Sequence, residues 1–150
     1  MLPVSVNARP PSNQVEEGND TAAYNLGMAY LKGSMGLDKD VAEATVLITK
    51  SADAGNAHAQ FMLGIFALDG VGRDKDLALA RRQFEAAATH GIASAQYNLG
   101  ACLQNGWGGP ADLEGAVSYY RAAAAQVGPT PALLPALRLG VAAWGPGRAR

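Results

Sequence analysis

The sequence predicts an all-α protein made of three tandem two-helix units, and several recurrences support this fold class. Between residues 26 and 100 a Leu-Gly pair occurs at three positions, 37 and then 36 residues apart, and another glycine follows each of these pairs by six residues. Short polar and alanine-containing motifs return with the same period. The matching positions are Leu26-Gly27, Leu63-Gly64 and Leu99-Gly100; Gly33, Gly70 and Gly106; Ala59-Gln60 and Ala95-Gln96; and Asp38-Lys39-Asp40 and Asp74-Lys75-Asp76. A period of about 20 to 50 residues is typical of solenoids, in which each helical unit completes the core of its neighbour.

Each unit is expected to begin with a helix, called helix A, that ends at a glycine. In the second unit the spacing predicts helix A over residues 57–68, with Asn56 as the N-cap and Gly70 as the left-handed residue that ends it. A short loop leads to helix B, which is predicted to begin after an aspartate that complements the helix dipole: Asp40, Asp76 or Asp112. Helix B is expected to stop at Gly55 and Gly91. Two antiparallel helices of about three to four turns therefore fit each unit.

These signals divide the chain into five segments. The predicted segments are a disordered leader at 1–20, repeat 1 at 21–55, repeat 2 at 56–91, repeat 3 at 92–128 and a tail at 129–150. The leader is rich in proline and polar residues, a composition typical of disorder. The tail begins with prolines and then carries Leu139-Gly140, which indicates a degenerate fourth helix A without a helix B. Such a half-repeat either caps the third unit or is a truncated end.

The glycines inside helix A predict close packing between helices. A glycine in a helix interior costs about 1 kcal/mol against alanine, so three of them at one register indicate a shared geometric requirement. Close approach of a neighbouring helix, which a side chain would block, meets that requirement. The expected apolar packing residues are Leu26, Leu63 and Leu99 beside the glycines, Tyr24, Phe61 and Tyr97 in the A helices, and Ile48, Phe84 and Tyr120 in the B helices.

The second unit resembles a known repeat family. It carries Ala59-Gln60-Phe61-Met62-Leu63-Gly64, Gly70-Val71-Gly72, Asp74, Ala78 to Ala80, and Ala86-Ala87-Ala88 through Gly91. This pattern is similar to the Sel-one-like repeat (SLR) family, a relative of the tetratricopeptide repeat, and the resemblance extends over residues 21–128. It implies a right-handed α-α superhelix of three helix-turn-helix repeats that acts as an adaptor for other proteins. The third unit departs from the pattern, with Gly109-Pro110 in place of Arg73-Asp74 and Val127 at the position of Gly91.

Composition argues against several classes of partner and location. The formal net charge is -1, and the basic residues are scattered, so no nucleic-acid partner is expected. A single cysteine excludes an intramolecular disulfide and favours a reducing, cytoplasmic location. Residues 1–20 lack the pattern of a signal peptide. The apolar stretch 132–144 is shorter than the ~20 residues of a membrane span and contains Pro135 and Arg138, so no membrane partner is expected.

Signals of catalysis or cofactor binding in the sequence are weak. His58, His90 and Cys102 do not have the spacing of zinc ligands, and no sequence motif provides a base for Cys102. We interpret the histidines as helix-end residues and Cys102 as a small, half-buried apolar residue. The glycine-rich segments 70–72 and 106–109 follow no strand and lack the Lys-Ser or Lys-Thr of a phosphate loop, so turn geometry explains them. The sequence therefore predicts no enzyme, no catalytic residue, no cofactor and no metal.

Positions that change from unit to unit predict a binding face on helix A. The changing positions are 21/58/94, 25/62/98, 28/65/101, 29/66/102 and 32/69/105, and steps of three or four residues place them on one helical face. In solenoids the A helices line the concave surface. The predicted partner-binding residues are Asn25, Lys32, His58, Met62, Phe66, Asp69, Asn98, Asn105 and, in the third loop, Trp107. Phe66 is expected to be an aromatic anchor. The alternative is that these positions vary because nothing constrains them.

Together these patterns predict a protein-interaction adaptor or scaffold that binds a partner protein or peptide in the groove of the solenoid. A first alternative is a regulatory repeat segment of a larger multidomain protein. A second alternative is a hydrolase-like enzyme that uses the groove. The hydrolase requires a nucleophile and a base that converge, and the changing helix A positions do not provide them.

Overall fold

The computed structural model describes residues 20–127, which form six α-helices and no β-strand. The helices are α1 Asp20–Lys32, α2 Val41–Asp53, α3 Ala57–Asp69, α4 Leu77–Thr89, α5 Ala93–Asn105 and α6 Leu113–Val127. They alternate as helix A and helix B of the predicted repeats. Helix A of repeat 2 ends one residue later than predicted. The predicted tail lies outside the described residues. So does the predicted leader, except for Asp20, which begins α1.

All four predicted N-caps are confirmed by hydrogen bonds. Asp40, Asp76 and Asp112 each accept a hydrogen bond on the side chain from the backbone N–H three residues later, at 3.0, 2.9 and 2.9 Å. Asn56 accepts in the same way from the N–H of Ala59, at 3.0 Å. Each bond satisfies a backbone donor that the first turn of a helix leaves without a partner. The predicted C-terminal glycine is confirmed as well, since Gly70 adopts φ 71° and ψ 41° after α3.

Between Lys75 and Asp76 the chain divides into two compact structural units, which do not coincide with the three sequence repeats. From here on, the first and second unit are these two structural units. The first unit contains α1, α2 and α3. Its buried residues form two clusters, one with Ala23, Tyr30, Ala44 and Leu47, and one with Ile48, Ala52, Ala59, Leu63 and Phe66. The mid-helix Gly27 packs against the second helix, because a Cβ there would lie 2.9 Å from Cδ1 and 3.0 Å from Cγ1 of the fully buried Ile48. The close approach predicted for this glycine is therefore confirmed.

The second unit contains α4, α5 and α6, and its core is built around tyrosine as well as aliphatic residues. Tyr120 of α6 is 3% exposed and packs against Tyr97 of α5, with ring centroids 5.5 Å apart. A Cβ on Gly100 would lie 2.8 Å from Cδ1 and Cε1 of Tyr120, so this glycine also permits close contact between an A helix and its B helix. The phenol of Tyr120 donates a hydrogen bond to Oε1 of Gln104 at 2.8 Å. The buried ring thereby keeps a partner for its polar end.

Candidate interaction surface

Four of the five changing registers of helix A form an accessible strip on each A helix, which we call the A-helix stripe. Every residue of the stripe is exposed or half-buried. The stripe comprises Thr21, Asn25, Met28 and Lys32 of α1, His58, Met62, Ile65 and Asp69 of α3, and Ser94, Asn98, Ala101 and Asn105 of α5. All the predicted helix A residues except Phe66 thus lie on an accessible surface.

The fifth register is part of the core, and the prediction that Phe66 is an exposed anchor is wrong. Ala29, Phe66 and Cys102 are 3%, 2% and 1% exposed. Phe66 packs in the cluster that contains Ile48 and Leu63. The register 29/66/102 follows 28/65/101 by one residue, and one residue is a rotation of about 100° around a helix. That rotation takes the side chain from the accessible stripe into the core.

In the first unit, two methionines of the stripe lie on the core while polar residues surround them. Met28 and Met62 are half-buried and pack against the cluster around Phe66. The ring of Tyr24 lies 6.0 Å from the imidazole of His58, centroid to centroid, which links α1 to the start of α3. Asn25 is exposed. Flexible thioethers beside hydrogen-bonding groups form a surface that can adapt to different side chains.

The charged ends of this part of the stripe have opposite signs and opposite effects on their helices. Lys32 is the last residue of α1, where a cation complements the negative end of the helix dipole. Asp69 is the last residue of α3, where a carboxylate is unfavourable by about 0.3 to 1 kcal/mol. No basic residue lies in the last turn of α3 to offset it. Asp69 therefore does not help its own helix.

In the second unit the stripe on α5 presents amides that are partly engaged by their own helix. Nδ2 of Asn98 donates to the carbonyl of Ser94 at 2.8 Å, and Nδ2 of Asn105 donates to the carbonyl of Ala101 at 2.9 Å. These bonds hold each side chain against the helix, so binding through the amide nitrogen requires breaking one of them. Trp107 follows α5 in the loop and is 39% exposed, which leaves part of its ring accessible.

Cys102 is a structural residue rather than a reactive one. The sequence predicted a half-buried position, and the structure places the thiol almost completely out of solvent, at 1% exposure. Burial raises the pKa of Cys102, and the nearby Arg81 guanidinium lowers it by less. The thiolate, which is the reactive form, is therefore scarce near neutral pH. Across the described part of the chain, no group of three or more His, Cys, Asp and Glu side chains could hold a metal ion.

The glycine-rich loops pack closely against preceding B helices, a role that the sequence analysis missed. A Cβ on Gly72 would lie 3.2 Å from Cβ of Thr45 and 3.2 Å from Cγ1 of Val41, both on α2. A Cβ on Gly108 would lie 2.7 Å from the carbonyl carbon of Leu77 and 3.0 Å from Cα of Ala78, both on α4. Nη1 of Arg81 fixes the second loop further by donating to the carbonyl of Pro110 at 2.9 Å. The repeated Gly-x-Gly spacing was the available signal for this packing.

The buried phenol of Tyr120 predicts a loss of stability at alkaline pH. Burial, together with the neighbouring Tyr97 and Cys102, raises the pKa of Tyr120 from 10.0 to about 12. The folded state then holds this proton more tightly than the unfolded state. The resulting stabilisation is complete below pH ~10 and is lost as the pH rises through about 12.

The test is a titration of tyrosinate absorbance in the folded wild type and in Tyr120→Phe. Because Tyr97 and Cys102 are close to Tyr120, the difference between the two curves isolates the phenol of interest. We expect a missing transition near pH 12 in the variant and a flatter alkaline stability profile. A difference curve centred near pH 10, the ordinary tyrosine value, would contradict the buried position.

The geometry defines a class of protein, the all-α helical-repeat proteins: paired helices that contact at mid-helix glycines, with one side of each A helix left accessible. The family within this class follows from the comparisons. The Sel1 repeat model matches residues 20–56, 57–92 and 93–127, and the chain belongs to the Sel1 repeat family. No helix between residues 20 and 127 is long and apolar enough to cross a membrane.

Two solved structures show the same fold. A Sel1 repeat protein from Oxalobacter formigenes is 31% identical, with a TM-score of 0.74, and the match covers 85% of this chain and 93% of that one. A protective antigen present in uropathogenic Escherichia coli strains, which displays an SLR fold, is 34% identical with a TM-score of 0.70. That match covers 75% of this chain and 24% of the antigen. The comparison with curated proteins found no match. The predicted family and the predicted all-α repeat solenoid are confirmed.

Proposed function

We propose that this chain is a scaffold that binds another protein or a peptide through the A-helix stripe. Sel1 repeat proteins generally act as protein-interaction scaffolds, and their fold is typically a non-enzymatic module. The observation that carries the proposal is the contrast between registers. The four registers of the stripe are accessible on all three A helices, whereas the adjacent register is 1 to 3% exposed.

The first unit supplies the best-defined part of this surface. Met28 and Met62 offer an apolar, deformable centre, and Asn25 and His58 offer hydrogen bonds at its edge. Lys32 and Asp69 lie at one register of the repeat and carry opposite charges. A peptide with an apolar side chain flanked by polar or charged groups suits this arrangement.

The second unit provides Asn98, Asn105 and Trp107 as its candidate contacts. The exposed part of the Trp107 ring can cover an apolar group, since tryptophan is enriched among residues that dominate binding energy. The asparagine side chains retain acceptor oxygens while their nitrogens bond to the helix. In this proposal the asparagine oxygens accept directional hydrogen bonds from the partner, and Trp107 buries apolar area against it.

A second candidate function is that of a regulatory repeat segment within a longer protein. One observation favours it: the likeness to the Escherichia coli antigen covers only 24% of that chain, so the repeats there form part of a larger polypeptide. The binding surface proposed here is the same in either case. We also propose a cytoplasmic location, on the ground that the single cysteine of the sequence cannot form an intramolecular disulfide.

The experiment compares two chemically identical substitutions, Asp69→Asn and Asp53→Asn. Both residues are exposed and both are the last residue of a 13-residue helix, but only Asp69 belongs to the stripe. Peptides are selected on the wild-type chain from a random displayed library, and their affinities for the three proteins are then measured. We expect equal or slightly higher stability for both variants, and about fivefold weaker binding, near 1 kcal/mol, only for Asp69→Asn.

Two outcomes would overturn the proposal. One is that no peptide is enriched over an unrelated folded control protein. The other is that Asp53→Asn weakens binding as much as Asp69→Asn, which would locate the contact away from the stripe. A Met62→Ala variant serves as a second measurement on the apolar part of the surface, and its folding is checked by circular dichroism.

A further inference from the structure

The loop after each A helix contains a residue in the left-handed conformation at one fixed register. The three loops begin Gly33-Ser34-Met35, Gly70-Val71-Gly72 and Gly106-Trp107-Gly108. The third residue has φ 58°, 64° and 74° in turn. It is glycine in the second and third loops. In the first loop it is Met35, whose side chain is 83% exposed.

The glycine occurs where the loop lies on the preceding B helix. Gly72 lies against Val41 and Thr45 at the start of α2, and Gly108 lies against the backbone of Leu77 and Ala78 at the start of α4. At both positions a side chain would overlap its neighbours. The loop of Met35 has no preceding B helix among the described residues, and the side chain there extends into solvent. Glycine at this register therefore indicates a loop seated on a preceding B helix.

The corresponding loop-contact positions on α6 are Leu113 and Val117, 36 residues after Leu77 and Arg81. Val41 and Leu77, at the first loop-contact position of α2 and α4, are half-buried. Leu113, at the same position of α6, is 47% exposed. The same side of α6 lines a cavity of about 480 Å³ through Glu114, Val117, Ser118 and Arg121. On the third B helix, Leu113 is therefore the accessible apolar residue at this position, whereas Val117 beside it is 8% exposed.

The sequence after residue 128 contains a matching loop motif. Leu139-Gly140 repeats the mid-helix pair of the A helices, and Gly145-Pro146-Gly147 repeats the Gly-x-Gly of the second and third loops. The first loop glycine follows Gly140 by five residues instead of six. We propose that the chain's own segment 136–147 docks on α6 and that Gly147 is seated against Leu113 and Val117, as Gly108 is seated against α4. This internal docking surface is separate from the A-helix stripe and does not depend on the proposed function.

The lack of room for a side chain at the loop-contact position favours segment 136–147 over a second copy of the chain. Head-to-tail stacking would bring the first loop of another copy onto α6 and place Met35 at the seat. Met35 carries a side chain where Gly72 and Gly108 have no room for one. The segment 136–147 has glycine at that position and is attached to α6 by only eight residues, 128–135. The effective concentration of the segment at α6 is therefore high.

The experiment measures trypsin cleavage after Arg138 in the full chain by mass spectrometry. The proteins are the wild type, Leu113→Asp and Gly147→Val, with Val46→Asp as the matched control, because Val46 is also an exposed aliphatic residue on a B helix. An aspartate at the first residue of α6 is compatible with the helix dipole, so folding of α6 is preserved. We expect about tenfold faster cleavage in Leu113→Asp and Gly147→Val, since cleavage requires release of the segment, and no change in Val46→Asp.

The proposal is overturned if Arg138 is cleaved equally fast in the wild type and in both variants. It is also overturned if protection of Arg138 rises with protein concentration and light scattering reports a dimer, because a second copy then covers α6. Cleavage after Arg121, inside α6, monitors folding in every sample. A variant that loses protection at both arginines has unfolded, and Gly147→Val, whose substitution lies far from α6 in sequence, then decides the outcome.

Discussion

Replacing Gly108 with alanine will destabilise the protein far more than the same change at Gly36. The two glycines have nearly equal backbone geometry, with φ 74° and φ 75°. The strain of a side chain in the left-handed region, about 1 to 2 kcal/mol, is therefore common to both. Only Gly108 faces an obstacle, since a Cβ there would lie 2.7 Å from the carbonyl carbon of Leu77 and closer still to its oxygen. At Gly36 nothing lies within 4 Å.

The excess loss at Gly108 measures how tightly the third loop is seated on α4. Because the obstacle is backbone at the start of a helix, it cannot rotate away as a side chain can. Overpacking of this kind costs about 1 to 3 kcal/mol or more, in addition to the shared strain. Urea unfolding followed by circular dichroism gives both free energies of unfolding. Equal losses in the two variants would show that the loop of Gly108 does not lie on Leu77.

Replacing Phe66 with alanine will remove a large part of the protein's stability. Phe66 is 2% exposed and packs with Ile48, Ala52, Ala59 and Leu63. Truncation of a buried phenylalanine costs about 3 to 5 kcal/mol, because apolar contacts are lost and the cavity closes only partly. Domains are stable by only about 5 to 15 kcal/mol, so we expect the variant to unfold at a clearly lower urea concentration. The measurement is again urea unfolding at equilibrium.

The neighbouring Ile65→Ala variant is the control for Phe66→Ala. Ile65 is apolar and adjacent in sequence, but it is half-buried and belongs to the A-helix stripe. A loss of about 1 kcal/mol is expected there, in proportion to the smaller area taken from solvent. If Phe66→Ala were the milder of the two, Phe66 would be the surface residue and its role as an aromatic anchor would be restored. Reduced partner binding by Phe66→Ala is otherwise a consequence of unfolding.

The sequence carried enough information to predict the helices and their ends, because these depend on local chemistry. Asp40, Asn56, Asp76 and Asp112 cap helices by hydrogen bonds to residues three positions away. Gly70 ends α3 through its own backbone conformation. The contact between Gly100 and Tyr120 was also within reach of the sequence, because three glycines at one register have a common cause. The exposure of the stripe residues followed from the helical period.

The limits of the sequence are clearest at Phe66 and Gly108. Variation among repeats at 29/66/102 predicts freedom from packing, but Ala29, Phe66 and Cys102 are all buried. Residues of three different volumes therefore occupy equivalent buried positions. Period and capping act within one helix and can be read along the chain. The side of helix A that enters the core, and the loop glycine that meets a preceding helix, depend on contacts between residues distant in sequence, which only the tertiary structure determines.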